Sequence, residues 1–239
     1  MSKMRKNYFL RLICRSLIFL FCVAMYIIDA PDFAILEGMN FFSVFSVFHL
    51  MWAIWVVDMI LQIVPLKNRV PLGSQKLWKN RFRPMRGKIN FESLRSYIIS
   101  TTKSAYKVFC IWCVMLTALG FLYYADIITQ EILFLISVCF YLCDLICVLI
   151  WCPFRLILKN RCCTTCRIFN WDHLMMFSPL VFVGGFFCTS LVILALLAWL
   201  IWELCVMMYP ERFWEHSNAA LKCSACTDKL CTQYCRKLR

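Results

Sequence analysis

Charge is what this 239-residue chain lacks: only 16% of its residues are Asp, Glu, Lys or Arg, against 62% hydrophobic. A soluble domain carries about 25% charged and about 45–50% apolar residues, so a water-soluble globule is excluded. The apolar residues also lack the strict alternation of a membrane β-barrel strand. They come instead in continuous runs of the length, ~20 residues, that crosses a bilayer as a helix. The sequence therefore predicts an all-α, polytopic membrane protein.

A second absence sets the orientation. Lys and Arg are missing from the polar turns Asp29–Asn40 and Ala125–Glu131, whose charges are all acidic. All 26 basic residues lie in Met1–Arg15, Lys67–Lys107, Arg155–Arg167 and Arg212–Arg239. This is the positive-inside pattern, which places both termini in the cytoplasm and accounts for the net charge of +13 without nucleic acid.

Catalytic templates are missing as well. There is no Gly-x-x-x-x-Gly-Lys-Ser/Thr phosphate loop, no Gly-x-Ser-x-Gly elbow and no His-Glu-x-x-His helix. The Asp-His-His-Cys motif of membrane palmitoyltransferases is absent, and Trp171-Asp172-His173-Leu174 lacks the nucleophile that would replace it. The sequence points away from an enzyme.

What is present divides the chain into six parts. Residues 1–64 form a first transmembrane hairpin, Tyr8–Ile28 and Phe41–Val64, whose first helix is long and lacks a cleavage site, so it reads as retained. Residues 65–107 are a basic loop with eleven Lys/Arg against one acid, Glu92. Its latter half spaces Ile89, Phe91, Leu94, Ile98 and Thr101 as an amphipathic helix in the headgroup plane. Anionic lipid headgroups or a protein partner would engage that loop. Residues 108–151 are a second hairpin, its arms Tyr106–Ala125 and Ile132–Trp151. Residues 152–173 are a cysteine-rich loop, 174–209 belong to a third hairpin and 210–239 form a cysteine-rich tail. The arms of that hairpin are Ile168–Val183 and Phe186–Met208, separated by Gly184-Gly185. The first arm is short and contains Pro179, so a re-entrant half-helix is the alternative to a sixth full crossing. The bilayer is the principal partner, and a homo-oligomer is compatible with the pattern.

Seventeen cysteines would suggest disulfides in a secreted chain, but here the polar ones share segments with Lys and Arg, on the reducing side. Cys163-x-x-Cys166 and Cys223-x-x-Cys226 have the spacing that lets two sulfurs of one turn face the same ion. They resemble the knuckles of a soluble zinc ribbon, and the resemblance covers only those knuckles. A hairpin between them would bring the pairs together as one four-thiolate zinc site, with Cys162, Cys231, Cys235, His173 and His216 as further ligands within range. An Fe–S cluster, a redox dithiol or unligated thiols near the membrane are the competing readings.

A second constellation lies inside the apolar runs. Asp58, Asp144 and Glu203 each sit about four to seven residues from the basic end of their helix, roughly 6–10 Å deep at ~1.5 Å per residue. Intramembrane acids are costly, so three at one depth suggest a cation path. Cys110 and Cys113 on the third span, and Cys139, Cys143 and Cys147 striped on the fourth, would add soft ligands where those antiparallel helices meet. Close packing by small residues is the alternative for the thiols. His49 reads as an interhelical hydrogen bond or a relay, and Asp172 as a helix N-terminal residue beside an interfacial Trp171.

Overall fold

The structure, a computed structural model, describes residues 3–28, 31–64, 77–79, 82–85, 89–159 and 163–225. Its helices are α1 (Lys3–Ile27), α2 (Phe48–Ile63), α3 (Phe91–Tyr124), α4 (Gln130–Leu149), α5 (Phe154–Leu158), α6 (Asp172–Phe177) and α7 (Gly185–Met208). Among the described residues there is no strand, only an isolated bridge between Pro84 and Asn218. Four helices, α1, α3, α4 and α7, are long and apolar enough to cross a membrane. The protein is an all-helical membrane protein.

The ends of these helices follow local chemistry. Asn90 caps α3 by accepting a hydrogen bond from the Ser93 amide at 3.1 Å. No proline or glycine interrupts the next thirty residues except Gly120, so the amphipathic segment and the third span form one helix rather than two. At ~1.5 Å per residue its 34 residues extend about 51 Å, well beyond the ~30 Å hydrocarbon core. Its serines and threonines do not break it, because Thr101 and Ser104 return their hydroxyls to the carbonyls of Tyr97 and Ser100. The second span is shorter than the apolar run. Residues 41–47 are not α-helical, and His49 turns back on them: Nε2 donates to the Phe41 carbonyl at 2.8 Å and Nδ1 accepts from the Ser46 amide at 3.3 Å. His49 is thus a local clasp and not a bridge between helices.

The most buried helix, α6, is only six residues long. Between Asn170 and Leu180 the only half-exposed residues are Asp172 and Leu174. After α6 the chain tightens into a 3-10 turn, Ser178–Phe182, where Pro179 lacks the amide that an α-helix would use. This broken segment packs against α3, α4 and α7 together. Ser178 accepts a bond from Trp112 of α3 at 3.0 Å and donates to the Met175 carbonyl. At its far end Phe182 closes over Gly120, where any Cβ would collide with its ring. Gly185 then turns the chain into α7. It has φ +65°, a Cβ there would meet the Leu36 carbonyl, and the next amide, Phe186, bonds the Gly38 carbonyl at 2.8 Å.

Around this segment sits an aromatic core of Phe48, Trp55, Phe134, Phe177 and Phe187, all fully buried. The Trp55 and Phe177 rings are 5.1 Å apart and those of Phe48 and Phe134 5.2 Å. In lipid there is little hydrophobic gain from helix association, so such close ring packing carries much of the cohesion. Leu10, Leu17, Val114 and Phe121 stay exposed, as a lipid-facing surface requires. The acid-bearing turns meet at one end, where Gln130 donates to Glu37 at 2.8 Å.

Candidate functional site

At the opposite, basic end a cavity of about 340 Å³ opens between α1, α4, α5, α6 and the cysteine loop. Its polar floor is built around Arg15. Halfway along α1 and only 7% exposed, this guanidinium donates to Asp144 Oδ2 at 2.8 Å and to the Tyr141 carbonyl at 2.6 Å. It lies 3.8 Å from the centre of the Tyr141 ring and 3.7 Å from Asp58 Oδ2. Two of the three deep acids therefore share one arginine. A buried arginine with two carboxylates, a carbonyl and an aromatic face has partners for its donors, but its single charge is outnumbered by the carboxylates around it.

His173 continues the network from the central segment. Its Nε2 is 3.7 Å from Asp58 Oδ2 and its Nδ1 3.4 Å from Asp172 Oδ1, both ion-pair separations rather than good hydrogen bonds. Asp172 is the first residue of α6, as an N-terminal acid should be, and both of its oxygens accept from Gln62 Nε2 at 3.1 and 3.2 Å. The buried amide oxygen of Asn170, also in the cavity wall, has no hydrogen-bond partner among the described residues.

Glu203 stands apart from the other two acids. Arg167 of the cysteine loop grips it with both terminal nitrogens, at 2.7 and 2.5 Å, and Trp171 Nε1 adds a third bond at 2.7 Å. Trp202 Nε1 then donates to the Arg167 carbonyl at 2.9 Å. Trp171 is buried against this pair. The three acids thus belong to two separate charge clusters. The signal for this was in the sequence. Arg15 lies seven residues past Tyr8, as deep as the acids, and a buried acid needs a cation at its own depth.

The thiols are sorted differently from the pattern drawn from helix order. Cys143 and Cys147 face the cavity, but Cys110 is exposed on α3 and Cys113 does not line it. The central segment packs against both α3 and α4, which touch each other through the Trp112 and Phe140 rings, 5.0 Å apart. The thiols that join Cys143 and Cys147 come from the next loop: Cys152, Cys163 and Cys166. Cys147 and Cys152 hydrogen-bond through their sulfurs, and Cys163 Sγ lies 4.0 Å from the Cys147 carbonyl. The Cys147 hydrogen bond, helped by the backbone amides of Phe154 and Arg155, brings the Cys152 thiol down to about 7 although burial opposes it.

Of the knuckle residues, Cys163 and Cys166 are half-buried in and beside a short 3-10 turn, and Cys223 is exposed in another. Cys162, Cys226, Cys231 and Cys235 lie outside the described residues. Among the described residues, no three Cys, His, Asp or Glu side chains come together as a metal site. The tail that carries Cys223 is docked on the basic loop. Arg83 donates its amide to Asn218 Oδ1 at 3.1 Å and accepts from the Ala219 amide at 2.8 Å. Tyr97 of α3 donates to the Phe213 carbonyl.

No protein-family model, curated protein or solved structure matches the chain. Its function has to be argued from its own residues.

Proposed function

We propose that this is a non-enzymatic, six-span membrane protein with both termini in the cytoplasm, whose cysteine knuckles form a structural zinc clamp beneath the bundle. Its role is that of a scaffold, offering a basic surface to anionic lipid headgroups or to a protein partner. The observation that carries the reading is the Arg167–Glu203 pair. It holds the loop bearing Cys163 and Cys166 on the last turns of α7, the helix that leads straight into the tail with Cys223. Both knuckles then belong to the same end of the molecule; Cys163, Cys166 and Cys223 do not come together in the structure, and zinc would draw them onto one ion with Cys226. A zinc site of this kind is closed and stabilises the fold, without an open coordination position for chemistry.

The ends of the third hairpin support the six-span reading. The segment of α6 and its 3-10 turn begins beside Asp58 and Gln62 and finishes beside Gly120 and Leu36, so we read it as a compact fifth crossing. Arg95, Lys103 and Lys107 stand exposed on α3, and they supply the basic surface. Transport of a hard cation along Asp58 and Asp144 is the weaker reading, because Arg15 already occupies the space between them.

Metal analysis of the purified full-length protein tests the clamp. About one zinc per chain is expected, and it should be lost in the Cys163→Ser/Cys223→Ser double variant. Absence of zinc, or its retention in that variant, overturns the reading.

A further inference from the structure

The cavity is lined by two kinds of donor, oxygen and sulfur. Its carboxylates are committed: Asp144 binds Arg15, Asp58 lies between Arg15 and His173, and Asp172 binds Gln62. A hard, oxygen-loving cation would have to displace an arginine to use them. The cavity's thiols are Cys143, Cys147, Cys152, Cys163 and Cys166, and the thioethers of Met175 and Met176 belong to the same lining. So many soft donors around one space select a soft, monovalent metal over Mg²⁺, Ca²⁺ or Mn²⁺.

Geometry narrows the choice further. A tetrahedral ion needs three or four ligands gathered in one place, and among the described residues no such group of three exists. A pair of sulfurs does. Cys147 lies in the last turn of α4 and Cys152 just before α5; both line the cavity, and the two thiols hydrogen-bond. Two thiolates meeting in that way suit a two-coordinate ion.

We propose that this cavity binds Cu(I), held between the Cys147 and Cys152 sulfurs with the methionine thioethers at its side. Binding replaces both S–H bonds by Cu–S bonds and releases two protons, without any change of oxidation state. The resulting bis-thiolate carries one negative charge, and Arg155, close enough to act electrostatically on Cys152, offsets it. Its ligands differ from those of the zinc clamp, since neither Cys147 nor Cys152 belongs to the knuckles, although Cys163 and Cys166 line the same cavity.

The test is anaerobic competition for Cu(I) between the purified full-length protein and a chromogenic bathocuproine chelator. Wild type should withdraw about one Cu(I) per chain. The Cys147→Ser/Cys152→Ser variant should bind more weakly by about tenfold or more, the scale on which even outer-shell changes move metal affinity. Cys110→Ser/Cys113→Ser should behave as wild type. In wild type, Cu(I) should also protect Cys152 from maleimide, a readout independent of whether the double variant folds. No withdrawal of copper by wild type, unchanged binding in the Cys147/Cys152 variant, or unprotected Cys152 overturns the proposal. Loss of copper from Cys163→Ser/Cys166→Ser alone would assign the metal to the knuckle and overturn it as well. Zinc content is read separately, so either site can fail without the other.

Discussion

Among the described residues two arginines are buried, Arg15 and Arg167, and they are held in opposite ways. Arg167 meets a single carboxylate, Glu203, fork to fork, with Trp171 completing that carboxylate's bonds. The pair is balanced and joins a loop to a helix end 36 residues away in sequence. Arg15 reaches across 129 residues to Asp144, also engages Asp58, and sits among more carboxylates than it can neutralise. The first arrangement is a pin. The second is the keystone of a polar floor, open on one side to a cavity. Both are buried ion pairs, yet only the second stands where a ligand can reach.

The largest effect is expected at Arg15. Arg15→Met should leave Asp58 and Asp144 uncompensated and destabilise the folded protein by about 3–5 kcal/mol, read from unfolding in detergent. Adding Asp144→Asn should recover part of that loss, because a buried pair removed together costs far less than one stranded charge. If Arg15→Met unfolds like wild type, the keystone role fails.

Glu203→Gln comes next. It weakens two charge-assisted bonds and should cost about 1.5–3 kcal/mol while freeing the cysteine loop, so maleimide should label Cys166 faster. The Arg15 cluster is a separate network and should be indifferent: the penalties of Glu203→Gln and Arg15→Met should add to within about 0.5 kcal/mol. Strong non-additivity would mean that the two arginines act as one system.

The smallest effect is on reactivity alone. In metal-free protein, Cys152 alkylation should follow its thiolate, rising through a midpoint near pH 7 and falling away below it. Cys147→Ala removes the hydrogen bond that favours this thiolate, so the midpoint should move upward, toward an ordinary thiol, with little change in stability. An unmoved midpoint would show that the pair does not interact.

Long apolar runs made three of the helices legible in the chain itself. The expected Tyr8–Ile28, Ile132–Trp151 and Phe186–Met208 differ from α1, α4 and α7 by only a few residues. Helix propagation and an apolar environment are local properties, and the sequence carries them. Departures arise where a distant or irregular contact intervenes. His49 folds back on Phe41 and shortens α2, and Asn90 starts a helix that continues through the expected boundary into the membrane. At the candidate site the residue types were legible and the partnerships were not. Asp58, Asp144 and Glu203 stood out by their cost, but depth alone could not say that two share Arg15 while the third takes Arg167.

What the sequence by itself determined is therefore the class of the protein: helical, built for a bilayer, with its basic residues and its polar thiols in shared segments. Composition and charge placement suffice for that, because transfer into lipid depends on each segment's own side chains. Tertiary structure alone decided which side chains meet. The central α6 segment packs against both α3 and α4, Cys110 and Cys113 stay outside the cavity that Cys143 and Cys147 line, and Cys152 lies beside Cys147 instead. The physical reason is that helix periodicity fixes which residues share a face, whereas the neighbour that face receives depends on packing of the whole bundle.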